Sequence, residues 1–250
     1  MLRDQIIGAQ RATDSRVCVG LDPHSGAPGE VRAKLQRVIK ETAAHACAYK
    51  PNSAFFEALG AGGMDLLAEA IAWVHDAGRL AILDAKRGDI ASTAEAYARA
   101  AFDVLSADAI TVVPYMGEDA IRPFLMHGGA VFVVALPSNP AAARIVEHGT
   151  PPLFLRVGEL AAELATEFPG QVGLVVGATR PEEAAILHEA APGLPWLVPG
   201  LGAQGGDLVA FERATHHDVV LYNVSRGIFD APSPGEAARE WKQRIGGGGK

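Results

Sequence analysis

The sequence predicts a single-domain (β/α)8 TIM barrel on three observations. Short apolar runs, about eight of them, recur along the chain and stop in Pro, Gly, Asn, Asp or Ser; longer amphipathic segments separate them. The length of 250 residues suits one closed barrel. A doubly wound open sheet is the alternative, disfavoured because no GxGxxG follows the first run. The barrel is expected to span residues 1–245, with a disordered glycine-rich tail at 246–250.

In chain order, the first strand candidate is Val17–Leu21, closing in Asp22-Pro23. A helix is expected from Glu30 to about His45, then a strand through Ala48-Tyr49-Lys50 that stops at Pro51-Asn52. The next helix runs from about Asp65 to Asp76 and ends before Gly78, a residue suited to a left-handed helix end. Leu80–Lys86 is the central strand candidate. The Ser-x-x-Glu spacing predicts that the following helix starts with Ser92 as its N-cap and Glu95 reaching back.

Later strands are expected at Ala109–Val113, Val131–Leu136, Val172–Val176, Trp196–Val198 and Val219–Tyr222. The longest gap lies between Leu136 and Gln171, with a short helix near Ala141–Glu147 and another from about Gly158 to Phe168. It is either a lid on the catalytic face or a surface insertion.

Composition narrows the function. Twenty-two basic against 29 acidic residues give a formal charge of −7, and no basic block is present to track a nucleic-acid backbone. A small phosphorylated ligand stays open. No run is apolar for the length of a bilayer span, and Met1 to Gln5 lacks the pattern of a cleaved leader, so a soluble, cytoplasmic protein without a membrane partner is expected. Cys18 and Cys47 sit in apolar runs without a CxxC partner and read as buried thiols. The eight histidines read as mostly surface.

The chemistry concentrates in Asp84-Ala85-Lys86-Arg87-Gly88-Asp89. Side chains two apart on a strand share a face, so Asp84 and Lys86 point to the same side, with Asp89 in the turn beyond. Following an apolar run, this pair must either form an ion pair or serve chemistry. Other polar residues close other strands: Asp22, Lys50 with Asn52, Ser138 with Asn139, Gln204, and Ser225-Arg226. In a barrel they rim one pocket, although a lone Asp22 or Gln204 reads more readily as a solvated strand end, a reading much weaker for Asp84 and Lys86.

No HExxH, GxSxG or P-loop pattern appears. Asp84 and Asp89 could hold magnesium, but Lys86 between them occupies the place of the cation. The glycine-rich stretch Gly200–Gly206, together with Arg226, suits a phosphate monoester after the seventh and eighth strands.

Leu83-Asp84-Ala85-Lys86-Arg87-Gly88-Asp89-Ile90, with Thr93, resembles the DxKxxD signature of orotidine 5′-phosphate decarboxylases. Lys50-Pro51-Asn52, Pro137-Ser138-Asn139-Pro140, Pro199–Gln204 and Ser225-Arg226-Gly227-Ile228 resemble the family's remaining blocks, so the likeness runs from Gly20 to Ile228 and is greatest to the longer bacterial branch.

The resemblance implies a homodimeric barrel that converts orotidine 5′-monophosphate to uridine 5′-monophosphate and carbon dioxide, the last step of de novo UMP synthesis, without metal or organic cofactor. It implies Lys50, Asp84, Lys86 and Asp89 as the catalytic charged array, with Asp89 and Thr93 entering the neighbouring subunit's site. Asp22 and Lys50 would hold ribose hydroxyls, Ser138 the pyrimidine, and Gln204 and Arg226 the phosphate, with Asn52 and Pro199 also lining the substrate. The alternatives are a magnesium-dependent sugar-phosphate decarboxylase of the same superfamily and a catalytically silent nucleotide-binding barrel.

Overall fold

Runs rich in Val, Ile, Leu and Ala form eight parallel strands that close in sequential order, β1 pairing with both β2 and β8. They are β1 (Val17–Leu21), β2 (Ala48–Pro51), β3 (Leu80–Arg87), β4 (Ala109–Val112), β5 (Ala130–Leu136), β6 (Val172–Val176), β7 (Trp196–Val198) and β8 (Val220–Val224). The computed structural model describes residues 1–202 and 205–247.

The helices are α1 (Leu2–Thr13), α2 (Pro28–Thr42), α3 (Ser53–Glu57), α4 (Ala61–Asp76), α5 (Ala91–Arg99), α6 (Arg122–Met126), α7 (Ala143–Val146), α8 (Leu153–Glu167), α9 (Pro181–Ala190), α10 (Leu208–Thr215), α11 (Arg226–Phe229) and α12 (Pro234–Gly247). Gly246 and Gly247, expected in a disordered tail, end α12; residues 248–250 lie outside the described part.

The two-residue period of the strands divides the apolar side chains between two cores. Val17, Val19, Leu21, Tyr49, Leu83, Ile110 and Val112 face outward into the layer beneath the helices. Cys18, Ala48, Ile82, Ala109, Phe132, Val175, Leu197 and Leu221 fill the barrel interior. Leu2 and Ile6 of α1 join this inner core, so α1 caps the end of the barrel where the strands begin. Both cysteines are free and fully buried, and burial pushes the Cys47 thiol up to about 12.

Several helix starts depart from the sequence pattern. Helix α2 begins early because Pro28 fits the first turn and Glu30 accepts a hydrogen bond from the Ala27 N–H at 3.1 Å. Helix α4 begins at Ala61 despite the weak propensity of Gly62-Gly63, and Gly63 lies so close to α3 that a Cβ there would run into the Phe56 carbonyl oxygen. Gly78 ends its C-terminal turn at φ 70°, as expected.

Ser92 is not a cap. Helix α5 starts at Ala91 after Ile90, which puts Ser92 inside the first turn. Helix α8 begins at Leu153 and passes through Gly158 because that glycine is a contact point, not a boundary: a Cβ there would stand 2.5 Å from Leu187 Cδ1. His217 is buried, not superficial, among Trp196, His188 and the Leu194 carbonyl that accepts from its ring at 2.8 Å.

Candidate active site

The inward parity that is apolar at the base of the barrel turns polar at its carboxyl rim. Cys18 gives way to Asp22 beyond β1, Ala48 to Lys50 and Asn52 along β2, Ile82 to Asp84 and Lys86 on β3, and Leu221 to Asn223 and Ser225 on β8. Together they line a cavity of about 370 Å³ whose apolar wall is Val134, Val175 and Leu197. A cavity of this size, with charged and polar groups converging opposite one apolar wall, suits a small polar ligand.

Asp84 is the hub of the charged groups. Its Oδ2 accepts from Lys50 Nζ at 2.7 Å and Asn52 Nδ2 at 3.5 Å; its Oδ1 accepts from Lys86 Nζ at 2.6 Å and Thr111 Oγ1 at 3.0 Å. Burial alone would raise the Asp84 carboxyl, but the Lys50 and Lys86 ammoniums outweigh it and hold the group well below the usual carboxylate range. Burial would likewise lower Lys50, yet Asp84 and Asp22 together drive it upward. Both therefore stay ionised at neutral pH. The Lys86 side chain is half exposed to the cavity, in contrast to that of Lys50.

Around this hub the rim is built from local devices. Asn52 Oδ1 caps α3 by accepting from Ala54 N–H at 3.1 Å, which fixes the amide that also reaches Asp84. Ser225 Oγ donates to Asp22 Oδ2 at 2.5 Å, leaving Asp22 Oδ1 buried without a protein partner.

The segment after β5 lies against the loop after β6. The Ser138 carbonyl accepts from Thr179 Oγ1 at 2.9 Å, and Arg180 pairs with Glu147. Gly177 permits this approach, because a Cβ there would stand 2.6 Å from Ser138 Cα. Arg226, the first residue of α11, opens onto the cavity beside Pro199, Gly200 and Gly227.

Of the expected site residues, Asp22, Lys50, Asn52, Asp84, Lys86, Ser138, Pro199 and Arg226 share this cavity. Asp89 and Thr93 do not: both are exposed outside it, and Asp89 Oδ1 accepts from the Ile90 N–H at 2.8 Å. Gln204 lies outside the described residues. Thr111, His24 and Asn223 line the cavity without having been singled out. Thr111 stands in an apolar run that reads simply as strand, and only the pairing of β4 with β3 brings its hydroxyl to Asp84.

A closed parallel barrel with a Lys–Asp–Lys array lining the cavity at its carboxyl rim has the architecture of a barrel enzyme. A sequence model of the orotidine 5′-phosphate decarboxylase / HUMPS family matches residues 15–241. The orotidine 5′-phosphate decarboxylase of Roseiflexus sp. (strain RS-1) is 43% identical over 244 residues, covering 92% of this chain and 89% of the relative. That of Herpetosiphon aurantiacus is 42% identical over 262 residues, covering 98% and 96%. Among solved structures, Leishmania donovani OMP decarboxylase superposes with a TM-score of 0.91 at 41% identity, covering 99% of each chain. The chain belongs to the orotidine 5′-phosphate decarboxylase / HUMPS family.

Proposed function

We propose that this barrel decarboxylates orotidine 5′-monophosphate to uridine 5′-monophosphate, completing UMP synthesis. The observation that carries the reading is the Asp84 carboxylate held between Lys50 and Lys86 at 2.7 and 2.6 Å inside a nucleotide-sized cavity.

Breaking the bond from C6 to the carboxylate releases carbon dioxide and leaves the electron pair on C6, in the ring plane, where adjacent π orbitals delocalise it poorly. An ammonium fixed beside C6 stabilises that charge and then delivers a proton to it; Lys86, reaching into the cavity, takes this role. Lys50 and Asp84 keep Lys86 aimed. Asp84 near the substrate carboxylate also disfavours the bound ground state. Asp22, with one buried acceptor oxygen unpartnered, suits a ribose hydroxyl together with Lys50. Ser138 is assigned to the pyrimidine, Asn52 and Pro199 to the walls around the substrate, and Arg226 with Gln204 to the phosphate.

No metal at Asp84 enters this reading, because ammoniums occupy both of its oxygens; the reading uses no organic cofactor. The reading includes a homodimer in which Asp89 and Thr93 complete the neighbouring site. Its support is that both are exposed on a rim that also exposes the large apolar side chains Ile90, Tyr115 and Met116. The same reading assigns the enzyme to the cytoplasm, where unpaired thiols such as Cys18 and Cys47 are the ordinary state.

The absorbance change on mixing the protein with orotidine 5′-monophosphate tests the activity. Turnover that survives a chelator supports the metal-free route; absence of turnover with this substrate, together with magnesium-dependent decarboxylation of a sugar phosphate, points to the sugar-phosphate class. Mixing inactive Lys86→Ala and Asp89→Ala proteins tests the shared site. Hybrid dimers regain activity if Asp89 crosses over and stay inactive if each chain is self-sufficient.

A further inference from the structure

Strand β3 carries two more residues than β4 between the points where they pair, since Leu83 lies opposite Ile110 but Arg87 lies opposite Val112. The excess is absorbed by a bulge in which Lys86 takes φ 46°, a left-handed conformation uncommon for a residue with a long side chain. A bulge takes backbone groups out of the ladder, so the Lys86 N–H needs another acceptor. It donates to Thr111 Oγ1 at 2.9 Å.

A backbone N–H can only donate, which compels the hydroxyl to accept there and to spend its single proton elsewhere. That proton goes to Asp84 Oδ1, 3.0 Å away. Thr111 is 1% exposed, and its neighbours Ile110 and Val112 belong to the apolar outer core. Its hydroxyl is thus a lone polar group on an apolar strand, tied at once to the backbone of Lys86 and the carboxylate of Asp84.

We propose that Thr111 is a positioning residue for the reaction. Its hydroxyl locks the left-handed bulge and the Asp84 carboxylate to one another, and so sets where the Lys86 ammonium stands relative to C6 of the substrate. The proposal rests on the assignment of Lys86 as the proton donor. Valine has nearly the same shape as threonine but would leave the Lys86 N–H without its acceptor and take one donor away from Asp84 Oδ1.

The test compares Thr111→Ser, Thr111→Ala and Thr111→Val in the full-length enzyme. It reads kcat with orotidine 5′-monophosphate and, separately, the Kd of uridine 5′-monophosphate, which lacks the reacting carboxylate. The expected result is kcat within about threefold of wild type for Thr111→Ser, and a loss on the order of 100-fold for Thr111→Ala and Thr111→Val, as for a small misplacement of a reacting group. The product Kd should change by less than about threefold in all three.

If Thr111→Val does not fold, the Ser and Ala variants decide the matter, since they differ only in the hydroxyl. A Thr111→Ala enzyme as fast as Thr111→Ser, with Lys86→Ala inactive, overturns the role of Thr111 alone. Product affinity falling in step with kcat overturns it too, by showing general loss of the pocket. A fully active Lys86→Ala enzyme instead overturns the reaction assignment, and with it the reason to position Lys86.

Discussion

Lys50 and Asp84, 34 residues apart in the chain, meet at 2.7 Å inside the barrel with side chains only 6% and 7% exposed. Neither charge could be held there alone, since removing one ion from water costs several kcal/mol without a partner. Asp84 is therefore structural as well as chemical, and its replacement has a stability consequence distinct from its effect on turnover.

Replacing Asp84 by Ala strands the Lys50 ammonium in the interior and is expected to destabilise the fold by about 3 kcal/mol. Urea unfolding at neutral pH measures it. A loss under about 1 kcal/mol would show that Lys50 relaxes to Asp22 or water at little cost.

Lys86→Ala is expected to abolish decarboxylation while leaving uridine 5′-monophosphate binding measurable by titration calorimetry. The Lys86 side chain is half exposed and makes its ion pair at the cavity surface, so its removal leaves the buried Lys50–Asp84 pair in place. Near-normal turnover in this variant would remove Lys86 from the mechanism.

Arg226→Ala should weaken binding of uridine 5′-monophosphate, by roughly 1.5 to 3 kcal/mol for a lost hydrogen bond to a charged group, with the affinity for uridine unchanged. The comparison isolates the phosphate. Equal losses for nucleotide and nucleoside would assign Arg226 to the shape of the rim instead.

His217 predicts a pH dependence at the opposite end of the barrel from the site. Burial lowers its pKa from 6.5 to about 4. The folded protein thus holds the ring neutral where the unfolded chain binds a proton, and stability falls as pH drops from about 6.5 towards 4. At about 1.4 kcal/mol per unit, the total is on the order of 3 kcal/mol. Urea midpoints across that range should decline in wild type and decline less in His217→Gln; parallel slopes would trace the effect to other groups.

The strands were the most legible part of the chain. Val17–Leu21, Val172–Val176 and Trp196–Val198 begin and end where their apolar runs do, because a strand enclosed by helices on one side and the barrel interior on the other must be apolar throughout. Helix starts were less legible. Helices α4 and α8 run through Gly63 and Gly158, which pack closely against Phe56 and Leu187 of other elements, and α5 starts at Ala91, one residue before Ser92.

Local pattern by itself determined the alternation of strands and helices, the polar closures of the strands and the adjacency of Asp84 and Lys86, since each follows from the two-residue period and from where apolar runs stop. What tertiary structure decided was which of those polar groups meet. Pairing β3 between β2 and β4 brought Lys50 and Thr111 onto opposite oxygens of Asp84, and the barrel's packing set α1 across the base. It left Asp89 and Thr93 facing outward. The two-residue register shift between β3 and β4, within which Lys86 takes its left-handed φ, depends on the pairing of two strands and has no counterpart in either strand's own sequence.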